Sequence, residues 1–373
     1  MTKPNATASR RGSRGRVAVI MKQPIFLTDR KFFAPLHGLR GIAVLYVVVS
    51  HLGNGGLFLL PIPHDAIGKI GVWIFFALSA FLLTTHLCRD IESASSRVCT
   101  LLQYIIHRFF RIYPLYIIAL IFHIIFGDIS KKQLFGHLLL TQGRGELWAI
   151  PVEFQYYFII PAIAISSLYL KKMHVCVLLV IALGAVLFYG TEQPASVFSN
   201  ELNAFPKLAP FLLGSILALL HTSLQSRGSS FLIPLTCLMG LLVTTILYRC
   251  LAKGYLQDVF APWLSMAIGA SIVGLMYAIL QSNSIGSLFA ARPLVFLGEI
   301  SFSVYLLHMF VIRAVVSRGH GLPGGIGAWI SLSLCILCAS ISYWTIERIG
   351  IRTGRIIGQK LQSCFSPAST HNN

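Results

Sequence analysis

The chain has 373 residues, 55% of them hydrophobic and only 11% charged, whereas a soluble domain carries about a quarter charged residues. So much apolar surface cannot be hidden in one soluble core, which excludes an ordinary globular protein and makes the bilayer the solvent. The formal net charge of +18 does not point to nucleic acid as a partner, because the basic residues lie between apolar runs and at the two ends, where membrane topology places them.

Residues 1–30 form a basic tail with Arg10, Arg11, Arg14 and Arg16, interrupted by a short apolar stretch at Val17–Met21. This tail is expected to be disordered and cytosolic, with no cleavable signal peptide; Met1 and Met21 both fit as the start. A helix needs about 20 apolar residues to cross the hydrocarbon. Candidate spans follow near 40–60, 69–88, 112–127, 147–170, 173–190, 206–222, 231–250, 262–281, 293–313 and 325–346. The expected fold is therefore all-α, a polytopic integral membrane protein with about ten transmembrane helices. The transmembrane domain is placed at 31–350 and a cytosolic C-terminal tail at 351–373.

An even number of spans puts both termini on one side. Placing them in the cytosol concentrates Lys and Arg on the inner segments, as the positive-inside rule requires. The inner segment 89–111 carries Arg89, Arg97, Arg108 and Arg111, and the outer segment 190–206 carries Glu192 and Glu201. Within 97–111, apolar pairs recur every four residues (Leu101/Leu102, Ile105/Ile106, Phe109/Phe110), the pattern of a helix lying on or near the membrane. No internal repeat is evident. The eight cysteines are scattered, and Cys335 and Cys338 lie inside an apolar helix without a second pair; they are read as small buried hydrophobes rather than a zinc or redox site.

Ionisable groups inside a bilayer are costly and are functional candidates by default. Arg40 and His51 sit three helical turns apart in the first span, roughly 16 Å. With Arg40 snorkelling to the inner interface, His51 falls near mid-membrane, as a catalytic group or as a hydrogen-bonded packing residue. Glu153 and Tyr157 are four apart and share a helix face. Helical rise puts Glu153 roughly 9 Å and His51 roughly 14 Å from the outer face, so the two are expected to share a cavity. Arg108 and Arg111 are three apart and form a fork suited to phosphates, or a lipid-headgroup anchor. Ser301, Tyr305 and His308 make a polar stripe in the ninth span that could line a cavity or join helices. His86, His107, His123, His137 and His221 lack comparable partners and receive no role. No metal-ligand cluster is seen, and no metal is expected.

Five segments together resemble the acyltransferase-3 family of bacterial membrane acyltransferases. Leu36–Val44 with Ser50 and His51 is similar to its opening span, an Arg followed after ten residues by a His. Gly71–Leu82 resembles its second-span motif, Arg108–Pro114 its RxxR element, Leu147–Tyr157 its ExxxY element, and Phe296–His308 its late Ser/Tyr/His motif. The resemblance covers residues from about 33 to 348. Three departures stand out: His37 replaces the usual Asp, Ala80 the usual Gly, and Glu153 stands alone where a carboxylate pair is common.

The resemblance implies transfer of an acyl group, usually acetyl from acetyl-CoA, to a hydroxyl of a cell-surface polysaccharide, oligosaccharide or glycolipid. It makes His51 the catalytic base supported by Arg40, gives Arg108 and Arg111 the coenzyme A phosphates, and places Glu153 and Tyr157 on the acceptor side. Ser301, Tyr305 and His308 would bind substrate or line the cavity. A bacterial inner-membrane location is implied, with membrane lipids and a glycan or glycolipid acceptor as partners. The chain is read as a stand-alone form, with no hydrolase-like domain after the last span. A transporter or flippase for a glycosylated or acylated lipid is the alternative. It too would place charges at the midplane, though paired repeats with broken helices, its usual mark, are not evident in the sequence.

Overall fold

In hydrocarbon every backbone N–H and C=O has to be satisfied within its own segment, which leaves the helix as the natural element of a chain this apolar. The computed structural model describes residues 26–59, 67–224, 232–318 and 323–365, and no strand occurs among them. The expected N-terminal tail lies outside the described residues up to position 25, as does the C-terminal end beyond 365.

The chain begins with α1 (Phe26–Asn54), α2 (Ile67–Glu92) and α3 (Arg97–Ile125). A short α4 (Leu134–Leu138) and a 3-10 turn (Gly145–Trp148) lead to α5 (Ala149–Tyr169), α6 (Lys172–Glu192) and a one-turn α7 (Pro194–Val197). Next come α8 (Leu208–Leu224), α9 (Leu232–Ala252), α10 (Ala261–Gln281), α11 (Asn283–Phe289) and α12 (Arg292–Glu299). The last elements are α13 (Ser301–Arg318), α14 (Gly324–Ser342), a π-helical turn (Tyr343–Glu347) and α15 (Arg348–Phe365). Among the described residues, nine helical stretches are long and apolar enough to cross a membrane, and the apolar helix Phe205–His221 is a shorter tenth. The protein is thus a multi-pass membrane protein.

Helix α2 is the central post: 78% of its apolar window is buried, and it packs against α1, α5 and α8. By contrast, α9 buries only 22% of its window and exposes Leu232, Leu235, Leu238, Leu242 and Ile246, the surface expected of a lipid-facing helix. Glycines set the closest approaches. A Cβ on Gly38 would lie 1.7 Å from the Phe289 carbonyl oxygen, and one on Gly298 would lie 1.9 Å from that of His37. Backbone therefore touches backbone where α1 meets α11 and α12, as small residues allow between membrane helices.

Four boundaries differ from the sequence reading. Segment 97–111 is not a separate surface helix but the first half of α3, continuous with the third span. The ninth span is broken: α12 ends at Glu299, and Ile300, with φ of −85° and ψ of 1°, turns the chain before α13 begins. Hydropathy reports burial and is blind to such a turn, which the Gly298–His37 contact secures. The C-terminal segment is helical to Phe365 and lies on α3 through Gly350, Gly354 and Gly358, where added Cβ atoms would meet Phe110 and His107. Finally, α1 starts well before Arg40 and ends at Asn54. Arg40 is consequently mid-helix and His51 is in the last turn, one step further out than expected for each.

Candidate active site

Three arginines converge on one cavity of about 230 Å³ between α1, α2, α3 and α5, lined by Arg40, Arg108 and Arg111 together with Ser79, Glu153 and Tyr157. Arg40 reaches it from mid-α1, with its guanidinium 5.7 Å from the centre of the Phe75 ring. Arg108 and Arg111 share one face of α3 because they are a helical turn apart. Glu153, in the second turn of α5, accepts a 2.5 Å hydrogen bond from Ser79 Oγ, and the Tyr157 hydroxyl faces both of them. Tyr104 donates to the Tyr157 backbone carbonyl at 3.1 Å and ties α3 to α5.

A second carboxylate arrives from far along the chain. Glu347 ends the π-helical turn, is 1% exposed, accepts a hydrogen bond from Ser303 Oγ at 2.9 Å, and lies within electrostatic range of Arg111 and Arg40. Glu347 does not line the cavity itself, but it adds a second carboxylate within range of Arg40 and Arg111. Three guanidiniums still face only two carboxylates, so the cavity favours an anion. The Nε atoms of Arg40 and Arg108 and Oε1 of Glu347 are buried without a hydrogen-bond partner, an arrangement that is costly unless a polar ligand meets it. An anionic oxygen would satisfy the two Nε donors.

The cavity extends in two directions. Toward one face it joins a space of about 420 Å³ through Leu83, His86 and Arg108. That space in turn joins a polar groove between Ser93, Ser96, Gln103 and Gln362. In the other direction a narrow passage of about 40 Å³ runs past Arg40, Glu153, Ser301 and Tyr305. Ser301 is held by its own bond to the Gly298 carbonyl, at 2.8 Å. Tyr305 donates to the Glu146 carbonyl at 2.5 Å.

Beyond Tyr305 lies the histidine pair. His308 Nε2 is 3.2 Å from His51 Nδ1, with ring centroids 4.9 Å apart. His308 is completely buried, so it sits against His51 rather than lining the passage. None of the cavities described above is lined by both His51 and Glu153. By helical rise, His51 is roughly 5 Å from the C-terminal end of α1 and Glu153 roughly 12 Å from the start of its segment at Gly145. The carboxylate in range of His308 is Glu146. Its Oε1 lies 3.3 Å from His123 Nε2, and His123 Nδ1 bonds Asp128 Oδ2 at 3.0 Å. Arg313 closes this chain onto Asp128. His123, given no role from sequence, thus has two carboxylate partners.

The sequence singled out Arg40, Arg108, Arg111, Glu153 and Tyr157 but did not anticipate that they line one cavity, and it gave no role to Ser79, Glu347, Glu146 or His123. Glu347 stands one residue past the last expected span, 325–346, where a charge draws no attention. The Ser79 hydroxyl carried no signal at all within an apolar helix.

The family model described as an acyltransferase domain matches residues 34–346. Peptidoglycan O-acetyltransferase OatA of Listeria monocytogenes is 24% identical over 321 residues, covering 76% of this chain and 50% of its own. A Bacillus subtilis protein provisionally named peptidoglycan O-acetyltransferase YrhL is 26% identical over 374 residues, covering 85% of this chain and 55% of its own. A Staphylococcus aureus protein, by provisional name an O-acetyltransferase, is 25% identical over 369 residues, covering 85% of this chain and 57% of its own. The chain spans about half the length of the curated relatives it matches. No solved structure matches it significantly. The family match contains both histidines of the pair and all three arginines of the cavity, and the chain belongs to the acyltransferase-3 family.

Proposed function

We propose that this protein is a membrane-bound O-acyltransferase of the bacterial inner membrane that moves an acyl group, acetyl from acetyl-CoA, to a hydroxyl of a cell-surface glycan or glycolipid. The observation that carries the reading is the arginine cavity, open through polar spaces on one side and continued on the other by a narrow passage that reaches Tyr305, one helical turn before His308 on α13. Arg108 and Arg111 hold phosphates, with Arg40 between them and the passage. Arg40 and His51 are roughly 16 Å apart along α1, a separation suited to an extended thioester arm. The names of the relatives favour a cell-wall or surface glycan as acceptor. The surplus of basic residues on the segments flanking the polar groove, Arg89 and Arg97 among them, favours a cytosolic face there and cytosolic termini.

In the transfer, the acceptor oxygen bonds to the acyl carbon as the carbon–sulfur bond breaks. His51 takes the hydroxyl proton and returns it to the departing sulfur, so the reaction is proton-neutral overall.

Inverted or whole-cell membranes carrying the wild-type protein should move labelled acetyl from acetyl-CoA to envelope glycan, and His51→Ala should abolish this while remaining folded and inserted. Full labelling by His51→Ala would sink the role of His51. The break at Ile300 gives the flippase alternative one feature that the sequence lacked, since broken helices line many transport sites. Release of free coenzyme A only when acceptor is supplied separates the two readings, because a flippase consumes no thioester.

A further inference from the structure

The histidine pair contains more information than the choice of base. His308 Nδ1 lies 2.7 Å from the Tyr305 carbonyl oxygen and 3.2 Å from that of Val304. Carbonyl oxygens only accept, so Nδ1 of His308 carries the proton and the neutral ring presents a lone pair at Nε2. A charged ring there would be fully buried, and the carboxylate in its range, Glu146, already faces His123 at 3.3 Å. The lone pair on His308 Nε2 points at His51 Nδ1, 3.2 Å away. The same His51 nitrogen lies 2.9 Å from the Val47 carbonyl oxygen. Two acceptors therefore converge on Nδ1 of His51, and a lone pair there would oppose both.

We propose that His308 is a positioning residue: it accepts the hydrogen bond of His51 Nδ1–H, locks His51 in that tautomer, and leaves Nε2 of His51 as its single basic lone pair. The Val47 carbonyl already accepts a helix hydrogen bond, so it does not hold the tautomer alone. When His51 takes a proton at Nε2, the bond to His308 spreads the positive charge over a second ring, a neutral counterpart of the carboxylate that orients a catalytic histidine elsewhere. The Tyr305 hydroxyl, one turn before His308 on α13, is bonded to the Glu146 carbonyl, and Cys335 Sγ of α14 lies 3.9 Å from the His308 carbonyl, so two other segments fix the helix that carries His308. The catalytic consequence rests on His51 being the base, but the tautomer itself does not.

The test is nitrogen-15 magnetic resonance of the full chain in lipid, labelled at histidine, with the His51 signals assigned by their loss in His51→Ala. Wild type should show His51 protonated at Nδ1 and free at Nε2. His308→Leu, which cannot accept, should introduce the Nε2-protonated form and lower kcat at least tenfold with the KM for acetyl-CoA unchanged. His308→Gln, whose side-chain carbonyl can accept at the position of Nε2, should restore the wild-type signature and most of kcat. A wild-type His51 protonated at Nε2 overturns the proposal. So does an unchanged His51 signature in a folded His308→Leu. If the signatures behave as expected but His51→Ala keeps full transferase activity, the base assignment fails and the positioning stands.

Discussion

Replacing Glu347 with Ala would take from Arg40 and Arg111 one of the buried carboxylates in their range. Removing one partner from a buried charge cluster costs about 3–5 kcal/mol, so Glu347→Ala should melt well below wild type in detergent, whereas Ser303→Ala, which removes one neutral donor to Glu347, should lose about 1 kcal/mol. Equal losses would mean that the charge balance is not what Glu347 supplies. Arg108 and Arg111 are argued to bind phosphate as forks, a geometry lysine cannot reproduce. Each Arg→Lys change should raise the KM for acetyl-CoA about tenfold, or about 1.4 kcal/mol, with kcat nearly unchanged. A fall in kcat at constant KM would instead place these arginines at the reacting atoms. The arginines and Glu153 were legible in the sequence because a charge in an apolar run is conspicuous. Glu146 and Glu347 were not, because each sits at a span's edge, where a charge needs no explanation.

At the level of elements, glycine contacts govern which helices meet. A Cβ on Gly350 would lie 2.4 Å from the Phe110 carbonyl oxygen, whereas Gly184 has open space around it. Gly350→Val should therefore loosen α15 from α3, costing about 1–3 kcal/mol by overpacking, and increase proteolysis near 348–365. Gly184→Val on the lipid-facing side is the control and should behave as wild type. The C-terminal end of α3 is joined to α13 by Asp128, which pairs with Arg313. Burial opposes ionisation of this carboxyl, but hydrogen bonds from Arg313 and His123 outweigh burial and hold it below the usual aspartate range. A value depressed on folding means that the contact stabilises fully above the ordinary aspartate value near ~4 and is lost as pH falls through the depressed one. Asp128→Asn should lower the Tm at neutral pH by a small amount, below about 1 kcal/mol given its exposure. Its difference from wild type should vanish in acid, and a gap that persists there would point to packing instead of charge.

For the whole molecule, the arrangement of ten passages puts the polar groove and the α5–α6 turn on one face and the α9–α10 turn on the other. In a cysteine-free background, Lys171→Cys should react with an impermeant maleimide only after cells are opened, and Gln257→Cys should react in intact cells. The reverse pattern would invert the donor side and with it the proposed cytosolic entry of acetyl-CoA.

Membrane residence, the all-helical class and the number of passages were set by the amino-acid sequence by itself, because they depend on the length of apolar runs and on a solvent that leaves backbone groups no outside partner. The residues of the arginine cavity were equally visible, as charges where charge is expensive. Only the tertiary structure decided that His51 meets His308, that Glu347 comes within range of Arg40 and Arg111, and that the ninth span breaks at Ile300. Those outcomes depend on where each helix begins, how it is rotated and which backbone lets another come close. Such relations join residues as far apart as Arg40 and Glu347, and no local pattern of polarity contains them.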